Sequence, residues 1–148
     1  MPEVILQNIE IFTFFILLIL GYMFGRWAEK KHYQSIFQRE EKWQNIAAIA
    51  SRFPPEDKLY RQELVIGVVV ISDDYFKRFV AGFRNVFGGS VTGYETLLDR
   101  ARREAVLRMK QEALKKQARY IFNIKYETSF HSVGSVEMLA YGTALTPK

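Results

Sequence analysis

Residues 64–71 read LVIGVVVI, eight successive positions without a polar side chain. A run this short and this rich in β-branched residues predicts a strand, and its lack of alternation predicts burial on both faces. Ser72 and Asp73 follow as caps for a short helix in which Phe76, Phe79, Val80, Phe83 and Phe87 fall at i, i+3, i+4, i+7 and i+11. A turn, Gly88-Gly89-Ser90-Val91-Thr92-Gly93, leads into a longer helix ending near Ala118. Tyr94, Leu97, Leu98, Ala101, Ala105, Met109 and Ala113 give that helix a stripe for the sheet, and Asp99–Arg103, Glu104–Arg108 and Glu112–Lys116 lace its outer face. Two alternating segments close the chain. Tyr120, Phe122, Ile124, Tyr126, Thr128 and Phe130 are expected on one face, and alternation resumes at Ser135 after Ser132-Val133-Gly134, a hairpin signal. The fold class is α+β, with order β-α-α-β-β over 64–148, an antiparallel sheet and helices on one face. Three strands leave open edges, so self-association is expected.

Upstream, Ile11 to Gly25 (IFTFFILLILGYMFG) carries no charge, and extending back to Val4 adds only Glu10. A helix over Val4–Gly25 would be about 33 Å long, enough for a hydrocarbon core of roughly 30 Å. Glu3 and Glu10 precede the run and Arg26, Lys30 and Lys31 follow it, with bulky Tyr22, Met23, Phe24 and Trp27 where a cleaved leader would need small residues. The expectation is an uncleaved anchor over 1–27 with the C-terminal bulk in the cytoplasm, hence a single pass of the inner membrane. Gly21 and Gly25 form a GxxxG, a spacing equally ordinary in membrane helices. Between 28 and 53, Tyr33, Ile36, Phe37, Trp43, Ile46, Ala47 and Ala50 recur at helical spacing, predicting an amphipathic stalk from about Trp27 to Arg52. Pro54-Pro55 should end it, with 54–63 as linker. Trp27, Ile36, Phe37 and Trp43 are the expected stalk contacts.

The chain has 148 residues, a formal charge of +5 and no cysteine. One core plus an appendage fits that length, and thiolate metal sites, disulfides and thiol catalysis are excluded. Gly88 and Gly93 have P-loop spacing, but Tyr94 and Glu95 stand where Lys and Ser/Thr are needed; Thr92 and Glu95 instead form a capping box. His131, Glu127 and Glu137 are candidate metal ligands, fewer than the four of a structural zinc site. Asp73-Asp74 suits a helix start, and His131-Ser132 are neighbours at a turn, so no catalytic set is expected. Acidic residues interrupt the basic stripe of Arg100, Arg102, Arg103 and Arg108, which argues against nucleic acid.

Residues 82–105, with G-F-R-N-V-F-G-G-x4-Y-E-x4-R-A-R-x2-A, and the closing Tyr141-Gly142-Thr143-Ala144 resemble the YbjQ-like family, described as heavy-metal-binding. Gly88, Gly89, Tyr94, Glu95, Arg100 and Ala101 carry the match, which extends over about 62–148. The resemblance implies a small dodecin-like α+β domain assembling as a homopentamer through intersubunit sheets, with Gly88, Gly89, Tyr94 and Glu95 defining fold and oligomer. Arg119-Tyr120 stands where the family has Gly-Ala, so that turn must be built differently. The expected function is a membrane-anchored, homo-oligomeric scaffold or accessory subunit, not an enzyme and without cofactor. Its partners are the lipid bilayer, itself and other membrane proteins of an assembly. The alternative is metal or small-anion binding on the inner surface of the ring.

Overall fold

The structure, a computed structural model, describes residues 2–54, 60–72, 92–132 and 135–147. The expected helix bearing Phe76 to Phe87, and Gly88-Gly89, lie outside the described residues. The described elements are helix α1 (Pro2–Lys42), strand β1 (Ala47–Ala48), strand β2 (Tyr60–Ser72), helix α2 (Thr92–Lys115), strand β3 (Tyr120–Ser132) and strand β4 (Ser135–Pro147).

Two compact units divide the chain. The first contains α1 up to Tyr33, in which, from Ile9 on, most apolar side chains are exposed, Phe12 to 70% and Leu17 to 63%. A helix apolar on every side is the pattern of a membrane span. It is long and apolar enough to cross a bilayer. Arg26 and Lys31 each fold back on the ring four residues earlier: the Arg26 guanidinium lies 5.6 Å from the Tyr22 ring centroid, and the Lys31 ammonium 5.1 Å from that of Trp27.

The second unit holds the end of α1, the sheet and α2. The strand order is β1-β3-β4-β2, with β4 antiparallel to both neighbours and β1 parallel to β3, so the sheet is mixed where antiparallel pairing was expected throughout. The stalk helix stops at Lys42, ten residues before the expected Arg52. Residues 46–51 are instead drawn to the edge of β3: the Ile49 amide donates to Ile121 O (2.8 Å), and the amides of Asn123 and Ile124 donate to Ser51 O (2.8 Å) and Ile49 O (3.4 Å). A sheet edge offers these backbone groups partners that a frayed helix end cannot. Ile46, read as part of a helical stripe, is buried in the core from this strand-like segment.

The core lies between α2 and one face of the sheet, where Val65, Val69 and Ile71 of β2 meet Leu97, Ala101, Ala105, Met109 and Ala113 of α2. Gly67 sits at their closest approach. A methyl built there would lie 2.0 Å from Ala105 O and 2.5 Å from the Met109 nitrogen, so helix backbone occupies the space of the missing side chain. The alanine stripe and this glycine together let the helix settle close to the strand.

Three further expectations are corrected. The run 64–71 is buried on one face only: Leu64, Ile66, Val68 and Val70 are 61%, 43%, 41% and 57% exposed. The α2 layer covers the face of Val65, Val69 and Ile71, while on the other face burial is found at the Phe122 and Leu145 end of the sheet. The alternation of 120–130 is broken by a bulge between Phe122 and Lys125, where Asn123 adopts φ 53°. Phe122 therefore pairs with Thr143 on the outer face, whereas Tyr126, Thr128 and Phe130 pair with Ala140, Met138 and Val136 on the helix side. On α2, Glu112 pairs with Lys115 at 2.6 Å rather than with Lys116, which reaches Glu63 on β2.

The turn expected at Arg119-Tyr120 is made two residues earlier, at Gln117-Ala118. Gln117 takes the left-handed conformation (φ 57°), its amide donates to Leu114 O (2.9 Å), and the Ala118 amide donates to Ala113 O (3.0 Å). That is a Schellman ending with glutamine in the glycine position. Arg119 N then bonds Leu145 O at 2.9 Å, and β3 begins.

Candidate functional site

The described part of this domain forms two surfaces with functional potential, a seam between α1 and α2 and the outer face of the sheet. At the seam, α1 runs past the side of α2 that faces away from the sheet. The two helices exchange a crossed pair of ion pairs: Arg39 grips Glu104 through two hydrogen bonds (3.0 and 2.5 Å), and Arg103 grips Glu40 likewise (2.8 and 2.5 Å). Both are fork-to-carboxylate contacts, the strongest geometry for such pairs. The Arg103 guanidinium also lies 4.6 Å from the Phe37 ring centroid, and Lys110 donates to Trp43 O at 3.3 Å. Ile36 and Leu107 are wholly buried.

Glu104 is the centre of the seam, only 5% exposed and held also by Arg108 at 3.3 Å. Burial pushes its carboxyl upward, but the hydrogen bonds and charges of Arg39, then of Arg108, outweigh that and hold it below the ordinary value. Burial lowers the Lys110 ammonium, against the charge of Glu40. Arg108 extends the network to the sheet by donating to Val68 O at 2.7 Å on the edge strand. A continuous line of polar contacts thus runs Arg39–Glu104–Arg108–Val68, from the helix that continues the apolar segment to the rim of the sheet.

Of the stalk residues singled out from sequence, Ile36, Phe37 and Trp43 belong to this seam, while Trp27, 62% exposed, lies in the other unit. Tyr94 and Glu95 stand in the first turn of α2, which begins at Thr92 as expected, with Glu95 exposed. Sequence reasoning placed Glu104 on a solvated face and overlooked Arg39, Glu40 and Arg103 as a set. Their signal was present: two Arg-Glu dipeptides, 39–40 and 103–104, that pair crosswise.

The candidate metal ligands do not come together as a set. Register puts Glu127 opposite Leu139 and Glu137 opposite Ser129, so the two carboxylates are diagonal neighbours on the outer face. His131 lies at the irregularity between Phe130 and Ser132, and its side chain is outside the described residues. Among the described residues no three His, Cys, Asp or Glu side chains gather as metal donors. The described residues therefore do not fit a heavy-metal site.

Comparison with known proteins places this architecture. The family model YbjQ_1, "Putative heavy-metal-binding", matches residues 55–148, well over half of the chain. The chain belongs to the YbjQ_1 family. A UPF0145 protein of Hahella chejuensis is 40% identical over 82 residues, covering 55% of this chain and 79% of the relative. One from Archaeoglobus fulgidus is 39% identical over 82 residues, with 55% and 76% covered. A crystal structure of a protein of unknown function of the DUF74 family, from Pediococcus pentosaceus, aligns with 70% of this chain and 98% of its own at 15% identity and a TM-score of 0.46. The matched region takes in β2, α2, β3 and β4. The apolar part of α1 and the stalk precede the YbjQ_1 domain.

Proposed function

We propose that this protein is a single-pass inner-membrane scaffold or accessory subunit, whose cytoplasmic YbjQ_1 domain self-associates into a ring of the family's pentameric kind. The observation that carries the reading is α1. In this helix of 41 residues the apolar side chains between Ile9 and Phe24 are mostly exposed, and its end is fastened to the domain by the crossed pairs Arg39–Glu104 and Glu40–Arg103. Arg26, Lys30 and Lys31 at the inner end of the apolar run favour the cytoplasmic side, where anionic lipid attracts them. The open edge and apolar outer face of the sheet support contact with sister copies or other membrane proteins. No described donor set supports a metal-carrying role.

The test is sedimentation of the full chain with membranes after alkaline carbonate washing, combined with protease access from each side. The reading expects carbonate resistance and a YbjQ_1 domain digested only from the cytoplasmic side. Release by carbonate, or digestion from the opposite side, would contradict it.

A further inference from the structure

At the seam between α1 and α2, each charge that α2 contributes has a second partner close by. Arg103 grips Glu40 across the seam through Nε and one terminal nitrogen, and its other terminal nitrogen lies 3.9 Å from Asp99, one turn back on α2. Glu104 accepts from Arg39 across the seam and from Arg108 on its own helix at 3.3 Å. On the α1 side, Arg39 Nε already donates to Ser35 O at 3.2 Å. When α1 is withdrawn, α2 therefore keeps a counter-ion for both charges, and Arg39 and Glu40 pass into water. The apolar part of the seam is separate from the core. Ile36 and Leu107 are buried, yet neither belongs to the cluster that packs α2 on the sheet.

We propose that the end of α1 is a latch on α2, held by charge and released by salt, which swings about residues 43–46 while the core stays closed. The inference goes beyond the scaffold reading and holds for one copy of the chain, whether or not copies associate. Three observations carry it. Both positions of α1 leave the charges of α2 paired, which is what a two-state element needs. Dissolved ions reach the pairs, because the side chains of Arg39, Arg103 and Glu40 are 26%, 27% and 34% exposed. A pivot is present as well. α1 stops at Lys42, residues 43–46 are turns and a bend, and the chain is fixed again where the Ile49 amide bonds Ile121 O of β3. Turn residues at the end of an element are where hinges absorb their change of backbone angle. Lys110, which donates to Trp43 O, holds α2 at that pivot.

The absence of cysteine from the chain makes the test direct. Gln38→Cys on α1 and Gln111→Cys on α2, both at exposed positions, carry a pair of spin labels in the full-length protein in detergent. Labelled chains are diluted into unlabelled ones, so that pulsed electron resonance reads distances within one chain. Measurements are made at about 20 mM and about 1 M salt, where the screening length falls to about 3 Å. Hydrogen exchange of the β2, β3 and β4 amides is followed on the same samples. A second labelled chain carries Arg39→Gln and Glu40→Gln, both on α1, so that α2 keeps its own pairs. The expected result is a longer distance whose population rises about fivefold or more in high salt, with strand protection unchanged. The doubly neutralised chain should show that longer distance already in low salt. A single short distance in both salts would overturn the proposal. A longer distance that comes with loss of strand protection would show the seam to be part of the cooperative fold, and would overturn it too. So would a neutralised chain that stays closed in low salt, since charge would then not be what holds α1.

Discussion

The two sides of β2 are made of nearly the same residues and have opposite environments. Val65, Gly67, Val69 and Ile71 point to α2 and are buried; Leu64, Ile66, Val68 and Val70 point the other way and are exposed. On the helix side the fit is close: Gly67 and the alanines of α2 bring helix backbone against strand, and behind α2 the Arg-Glu pairs of the seam add another layer. On the other side the same aliphatic chemistry stays 41–61% exposed. The lesson is that an unbroken aliphatic run does not by itself say which faces of a strand the chain covers; the position of α2 decides that.

Substitutions that treat the two sides differently give this comparison its force. Gly67→Ala strikes the helix side where no side chain can yield, because the clash is with Ala105 O and the Met109 nitrogen; a loss of about 3 kcal/mol or more is expected in thermal or denaturant unfolding. Val69→Ala and Val68→Ala are chemically identical changes on opposite faces. The first should cost about 2 kcal/mol at every protein concentration, as a core truncation does. The second should cost less, because Val68 is 41% exposed and its truncation leaves no closed cavity.

Glu104→Gln tests the layer behind α2. It leaves Arg39 and Arg108 facing a neutral amide, at an expected cost of about 1.5 kcal/mol near neutral pH, less than for a wholly buried pair because both guanidinium groups reach solvent. The pH dependence follows from the lowered carboxyl. A group whose folded value lies below its unfolded value contributes fully above the latter, 4.5, and loses that contribution as pH falls through the former. The gap between wild type and Glu104→Gln should therefore close as pH is taken below 4.5. The smallest effect is a gain: Gln117→Gly relieves a left-handed glutamine at the end of α2 and should raise stability by up to about 1 kcal/mol.

Much of the fold could be read from particular residues. The long apolar run announced α1, Thr92 and Glu95 marked the start of α2, and the alternation on either side of Val133-Gly134 announced β3 and β4. Where reading went astray, tertiary partners outweighed local pattern. Ile46 to Ala50 has helical spacing, yet the edge of β3 at Ile121 to Ile124 offered its backbone better partners. Asn123 looked like an ordinary strand position, and only its left-handed backbone reveals the bulge that exchanges the faces of Phe122 and Tyr126. The seam was hidden because the two Arg-Glu dipeptides are separated by more than sixty residues, so neither predicts its partner by helical spacing.

The account stands or falls on the proposed self-association of the chain. Its most direct test is the absolute protein mass of the full chain in detergent, by light scattering with the detergent contribution subtracted, over a hundredfold dilution. The account predicts a constant multiple of the 17.3 kDa protomer, fivefold for the proposed pentamer. A mass of one protomer throughout would contradict it.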